Sequence, residues 1–322
     1  MKKLKDFENL PSFIRDYLSH KFTIEGKSEL TVKEYAYDLQ TFLRYITAKQ
    51  KGIKDISEIK KLSVKNADIG LIRDVSLSDV YDYLLFLSKS MGNSVKSRAR
   101  KLSSLKSFYK YLDNDAHLIN VNIVKDLQLP KIPKQLPIYL ELDEAKTLLQ
   151  APEGENKERD FLILIILLNC GLRVSELKNI HLNDIKGDTL LIKGKGQKER
   201  ILFLNPAALK ALDAYLNVRK PRRSDITQLI LSDRGEEISV GGIQYTVKKL
   251  VKKAGLDSTR ITTHKLRHTA ATLMYKYGGV DVRALQEVLG HEHLNTTEIY
   301  THTDREAVRN ALNKNPLSGY KK

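Results

Sequence analysis

The chain has 322 residues, of which 41% are hydrophobic and 29% charged, the balance of a soluble globular protein with room for about two domains. Its 55 Lys and Arg outnumber 39 Asp and Glu, a formal net charge of +16 that favours a polyanionic partner and says nothing of fold. The lone Cys170 excludes an intrachain disulfide and a zinc site built from cysteines. No apolar run approaches the ~20 residues of a membrane span, and the basic start Met1-Lys2-Lys3 is not followed by the apolar segment of a signal peptide. The expectation is a cytoplasmic protein in a reducing compartment, nucleoid-associated if its partner is DNA, with no role for a membrane.

The positive charge is spread along the chain. Residues 1–125 carry 23 Lys/Arg and 15 Asp/Glu, a net of +8, and the remainder carries 32 and 24, again +8. Two basic halves suit a protein that holds nucleic acid from both sides; one basic tail would be distributed otherwise.

Thr31-Val32-Lys33-Glu34 has the pattern of a capping box, and Tyr35, Leu39, Phe42 and Ile46 follow on one helical face. A second helix is predicted to open at Ser78 and to bury Val80, Tyr83, Leu84 and Leu87. A third runs from about Asn93 to Leu112, with Ala99, Leu102, Leu105, Phe108 and Leu112 inward. Its other faces carry Lys96, Arg98, Arg100, Lys101, Lys106 and Lys110, which suits a DNA backbone, an acidic membrane surface or simply solvent.

Residues 127–137 hold three of the chain's eight prolines, the mark of a stiff extended linker and the predicted domain boundary. Beyond it the pattern predicts a helix near Glu141–Gln150 and a buried helix from Lys157 to Cys170, broken by Gly171. Short strands at Thr189–Lys193 and Arg200–Leu204 flank a turn, Gly194-Lys195-Gly196-Gln197. Helices follow at Pro206–Tyr215 and Val240–Ala254. No internal repeat or low-complexity tract is present.

Four segments carry chemistry: Gly171-Leu172-Arg173-Val174-Ser175-Glu176-Leu177; the turn lysine Lys195; His264-Lys265-Leu266-Arg267-His268; and Leu289-Gly290-His291, followed nine residues on by Tyr300. Arginine offers a permanently charged fork matched to phosphate. Two arginines can hold one phosphodiester and stabilise the charge that builds as phosphorus becomes five-coordinate. Histidines donate to the same oxygens or move protons near neutrality. A turn lysine can protonate a leaving oxygen, and a tyrosine hydroxyl can attack phosphorus when cations lower its high pKa. The set needs neither metal nor ATP. A zinc site on His264 and His268 is disfavoured, because the metalloprotease pattern needs Glu where Lys265 stands. Gly194-Lys195-Gly196 lacks the spacing of a nucleotide-binding phosphate loop.

In order and spacing these segments resemble the catalytic domain of the tyrosine recombinases, the phage-integrase-type site-specific recombinases, and within them the bacterial Xer recombinases. Gly-Leu-Arg-Val-Ser-Glu-Leu (171–177), Gly-Lys-Gly-Gln-Lys-Glu-Arg (194–200), His-Lys-Leu-Arg-His (264–268), Leu-Gly-His (289–291) and Thr296–His302 carry the likeness. It implies a mainly α protein. An N-terminal helical, SAM-like core-binding domain spans 1–126, and a mixed α/β catalytic domain at 138–322 is mostly helical, with a small antiparallel sheet and a C-terminal tail helix.

The resemblance also implies roles. Arg173 and Arg267 clamp the phosphate, with His264 and His291 completing the pocket; Lys195 is the general acid and Tyr300 the nucleophile. Glu176 orients Arg173, unless it is a carboxylate on a helix surface. Lys96, Arg98, Arg100 and Lys101 would lie on DNA. No cofactor and no metal is expected. The implied partner is double-stranded DNA bearing a specific recombination site, bound by a homotetramer or heterotetramer, with an activating motor protein as a further candidate. The tail, around Ala307, Val308, Ala311 and Leu312, would dock on the next protomer or pack on its own domain.

The implied activity is strand exchange through a 3′-phosphotyrosyl intermediate and a Holliday junction, in resolution of chromosome or plasmid dimers and hence chromosome partition at cell division. The alternatives are an integrase or transposase of a mobile element, a type IB-like topoisomerase, a DNA-binding protein without activity, and a metal-dependent nuclease, for which no carboxylate cluster is evident.

Overall fold

The computed structural model describes residues 7–131, 138–194, 199–278, 282–289 and 312–320. The chain divides into two compact units, Met1–Gln135 and Leu136–Lys322.

The first unit is helical: α1 (Ser12–Thr23), α2 (Glu29–Gln50), α3 (Ile56–Lys61), α4 (Gly70–Arg73), α5 (Leu77–Lys89) and α6 (Val95–Asn114). Its core is aromatic at the centre. Tyr17 meets Phe108 edge-on at 5.2 Å and Phe42 meets Tyr83 edge-on at 5.1 Å, so α1 is tied to α6 and α2 to α5. The inward positions predicted for α6, Ala99, Leu102, Leu105, Phe108 and Leu112, are all buried. On α5, Val80, Tyr83 and Leu87 are buried and Leu84 half-buried.

The helix starts differ from expectation. Thr31 is not a cap: it lies in the first turn of α2, and its backbone N–H donates to the Oγ of Ser28, the true N-cap, at 3.3 Å. Likewise Ser76, not Ser78, opens α5, in a reciprocal box in which the Asp79 carboxylate accepts from the Ser76 backbone at 2.8 Å.

The second unit holds α7 (Leu142–Gln150) and α8 (Lys157–Ile165), which continues as a π-helical turn (Ile166–Cys170). Next come α9 (Val174–Lys178) and a 3₁₀ turn (Leu182–Asp184). Strands β1 (Ile185–Lys186), β2 (Thr189–Lys193) and β3 (Glu199–Phe203) form an antiparallel sheet in sequence order, with Leu190 opposite Leu202 and Ile192 opposite Arg200. Helices α10 (Pro206–Val218), α11 (Val240–Lys253), α12 (Thr263–Gly278) and α13 (Val282–Leu289) complete the described elements. The fold class is thus as expected, mainly helical with one small antiparallel sheet. The central α8 and its π turn are buried throughout from Leu162 to Cys170, Phe161 being only half-buried. They pack against α10 on one side and α12 on the other.

The described end of the chain folds back onto this unit. Leu312 and Leu317 are buried in its core, Asn315 Nδ2 donates to the Leu168 carbonyl at 2.9 Å, and the Ala207 N–H donates to the Ser318 carbonyl at 2.9 Å. The segment 312–320 therefore packs on its own unit, while residues 307–311 of the expected tail helix lie outside the described residues. Among the described residues no helix is long and apolar enough to cross a membrane.

Candidate active site

The site begins where α8 stops. The π turn delivers the chain to Gly171, whose φ of +61° reverses it. Two constraints select glycine. The left-handed conformation is one, and a close approach is the other: a Cβ here would lie 2.7 Å from Leu289 Cδ2 and 3.5 Å from Ala270 Cβ. Two residues on, Arg173 has extended backbone (φ −69°, ψ 145°) and caps α9.

Glu176, in the first turn of α9, closes that cap. Its Oε2 accepts the Arg173 backbone N–H at 2.8 Å, and its Oε1 accepts from Arg173 Nη1 at 2.8 Å. The carboxylate is buried, with a side chain only 3% exposed, whereas the Arg173 side chain is 38% exposed. Glu176 is therefore not a helix-surface carboxylate.

Two further arginines converge on it. Arg200, from β3, donates through Nη1 to Oε1 at 2.9 Å and through Nη2 to Oε2 at 3.0 Å. Arg267, from α12, has its Nη1 3.8 Å from Oε2. Arg267 is fixed by the backbone: Nη1 donates to the Gly171 carbonyl at 2.7 Å and Nη2 to the Leu289 carbonyl. The turn that positions Arg173 thus also orients Arg267.

Three guanidinium groups around one carboxylate leave an excess of positive charge. Burial first, then the like charges of Arg173 and Arg200, pull Arg267 down to about 10. Burial alone would raise Glu176, but the bonds from Arg200 and Arg173 outweigh it and hold the carboxyl below its usual range. One turn along α12, burial together with Lys265, Arg267 and His264 depresses His268. The arrangement suits an oxyanion: a phosphate placed against Arg173 and Arg267 would relieve the repulsion instead of creating a charge in isolation.

The structure thus brings together Arg173, Glu176 and Arg267, and places His264 exposed near the start of the α12 that carries Arg267. Lys195, His291 and Tyr300 lie outside the described residues. Arg200 was not singled out from sequence, because Lys198-Glu199-Arg200 resembles a solvated hairpin end. Its signal is strand alternation: Leu202 and Leu204 are buried, and Arg200 shares their face. Among the described residues no group of three or more His, Cys, Asp or Glu is placed to hold a metal ion.

The four α6 residues expected on DNA fare unequally. Arg100 makes a two-pronged bond to the buried Asp38 of α2, Nη1 to Oδ2 at 2.5 Å and Nη2 to Oδ1 at 2.8 Å. Lys101 Nζ reaches Asp38 Oδ1 at 2.9 Å, and Ser104 Oγ completes the set at 2.7 Å. Arg100 and Lys101 therefore anchor α6 to α2, although Arg100 is still 45% exposed. Lys96 is exposed and Arg98 is half-buried.

Residues 139–307 match the model of the phage integrase family. A "Tyrosine recombinase XerC" from Caldanaerobacter subterraneus subsp. tengcongensis is 46% identical over 98% of this chain and 91% of its own length. Among solved structures, a post-cleavage complex of the XerH site-specific recombinase with a palindromic difH substrate has a TM-score of 0.65 at 24% identity, covering 88% of this chain and 79% of that one. A lambda integrase tetramer bound to a Holliday junction has a TM-score of 0.63 at 19% identity, covering 90% and 79%. These two likenesses concern the fold.

Proposed function

The chain belongs to the phage integrase family, and on that footing we propose that it is a site-specific tyrosine recombinase of the Xer type, breaking and rejoining double-stranded DNA. The observation that carries the reading is the cation-rich cluster of Arg173, Arg200 and Arg267 around Glu176, because it is built for a phosphodiester. Arg173 and Arg267 take the non-bridging oxygens, and His264 adds a donor. The Tyr300 hydroxyl passes its proton to a histidine of the site as its oxygen attacks phosphorus, the bond to the 5′ oxygen breaks, and Lys195 gives that oxygen its proton. One phosphate ester replaces another, so the energy of the broken bond is kept and neither metal nor nucleotide is required. A 5′-hydroxyl from a partner duplex reverses the step.

Exchange of four strands through a Holliday junction calls for four protomers, and a tetramer on DNA is part of this proposal. The near full-length likeness to XerC favours resolution of chromosome or plasmid dimers over movement of a mobile element. Activation by a motor protein and association with the nucleoid belong to the same reading. So does the division of labour between units, residues 1–126 gripping the DNA core site and 138–322 carrying the chemistry.

The test is a nicked suicide duplex, drawn from a random library and incubated with the protein in EDTA. A slow-migrating protein–DNA band on a denaturing gel that disappears in Tyr300→Phe is expected. A band that survives Tyr300→Phe would remove Tyr300 as the nucleophile, and DNA binding with no band in any duplex would favour a protein without strand-cleaving activity.

A further inference from the structure

We propose that Arg200 is the dedicated counter-ion of Glu176, a positioning residue whose charge keeps that carboxylate from neutralising the arginines assigned to the phosphate. The inference rests on the recombinase reading above and deepens it.

Glu176 performs a necessary task at some cost to the site. By accepting both the backbone N–H and Nη1 of Arg173 it fixes that side chain's direction. Yet it is itself an anion, buried within 3.8 Å of Arg267, where charges interact far more strongly than in water. Left alone it would offset one of the two positive charges on which phosphate binding depends.

Arg200 meets both oxygens of Glu176 at 2.9 and 3.0 Å. Among the described residues its side chain makes no hydrogen bond to anything else. Exposure does not set it apart, its side chain at 20% lying between the 38% of Arg173 and the 8% of Arg267; what does is that both of its Nη atoms are turned onto the Glu176 carboxylate. A strand delivers it: Arg200 pairs with Ile192 and points the same way as Leu202, which pairs with Leu190 in the core. The counter-charge is therefore held by a regular element, the most dependable support for a precise contact. With the carboxylate matched in this way, Arg173 and Arg267 keep their full attraction for an incoming phosphate.

The test compares single-turnover covalent trapping of the nicked duplex by the full chain and four variants: Arg200→Gln, Arg200→Lys, Glu176→Gln and the double variant. Arg200→Gln is expected to slow adduct formation on the order of 100-fold while DNA affinity changes little, because an unmatched carboxylate acts on the reacting phosphate and not on the whole interface. Arg200→Lys, which keeps the charge and loses the fork, is expected within about tenfold of wild type. The decisive comparison is the double variant. Removing the carboxylate as well should restore the rate to that of Glu176→Gln, at least about tenfold above Arg200→Gln.

A residue that merely holds β3 in place would give the reverse, with the double variant as slow as Arg200→Gln or slower. That result overturns the proposal, as does an Arg200→Gln that cleaves at the wild-type rate or an Arg200→Lys as slow as Arg200→Gln. Should thermal melting show Arg200→Gln unfolded, Arg200→Lys decides: activity within about tenfold of wild type supports the counter-ion role, and a larger loss overturns it. A wild-type chain that forms no adduct overturns the recombinase reading and this proposal with it. A wild-type adduct beside an equally fast Arg200→Gln overturns only this one.

Discussion

Gly171 carries more of the site than its lack of a side chain suggests. Its φ of +61° turns the chain out of the π turn, its carbonyl accepts from Arg267, and its Cα faces Leu289 too closely for a Cβ. Gly171→Ala is expected to cost about 1–3 kcal/mol, from left-handed strain together with overpacking. A thermal melt should show the lower midpoint, and the same variant should trap DNA more slowly because Arg267 loses its register. A variant with unchanged melting and rate would mean that the turn tolerates a side chain and that Arg267 is fixed by other contacts. At this scale the sequence was legible where a residue type has few other uses. Arg173 and Arg267 stand in short segments whose order points to phosphate chemistry, and both are found at one carboxylate. Arg200 was not legible, because an arginine at a hairpin end is ordinarily solvated; only its place in the alternation of β3 tells that it points inward.

Elements were legible in their middles and not at their ends. The apolar faces of α2, α5 and α6 were fixed by spacing, since burial enforces the helical period along a whole face. Their starts depended on which of several nearby hydroxyls caps the helix, and there Ser28 and Ser76 prevail over Thr31 and Ser78. The π turn at Ile166–Cys170 has no sequence signature that separates it from α-helix: Ile-Leu-Leu-Asn-Cys reads equally as the end of a buried helix. The basic face of α6 shows the same limit. Charge counting cannot tell a free lysine from one answering a buried acid on another helix, and the partner, Asp38, lies 62 residues before Arg100. Two substitutions separate the roles. Asp38→Ala removes the buried acceptor that Arg100, Lys101 and Ser104 share, leaving Arg100 with Glu34 at 3.0 Å and Ser104 with the Arg100 carbonyl at 3.2 Å. It is expected to destabilise the first unit by about 3 kcal/mol, measured by chemical denaturation. Lys96→Gln touches an exposed side chain, should leave stability unchanged, and should weaken DNA binding while reducing its salt slope by about 1. A Lys96→Gln chain whose affinity and salt slope match wild type would remove this part of α6 from the DNA interface.

For the whole molecule the question is whether both units hold DNA. The unit Met1–Gln135 carries 25 Lys/Arg and 16 Asp/Glu, and Leu136–Lys322 carries 30 and 23, so each is basic, by +9 and +7. Each also has a hydrophobic core of its own, which makes a chain reduced to residues 136–322 a reasonable object to measure. Part of the charge is committed internally: Arg159 to Asp160 and Asp233, Arg219 to backbone carbonyls, Arg100 and Lys101 to Asp38. What remains must account for binding through release of counterions, with log Kobs falling by about 0.9 per phosphate contact for each decade of salt. If both units grip the duplex, the full chain should lose on the order of 10³-fold in affinity between 50 and 200 mM salt. The 136–322 chain should then show a slope roughly half as steep, in proportion to its share of the charge. Equal slopes for the two would place all phosphate contacts in the second unit and remove DNA gripping from the first. A flat slope in the 136–322 chain would show that Arg173 and Arg267 engage a phosphate only when the first unit has already brought the DNA to them.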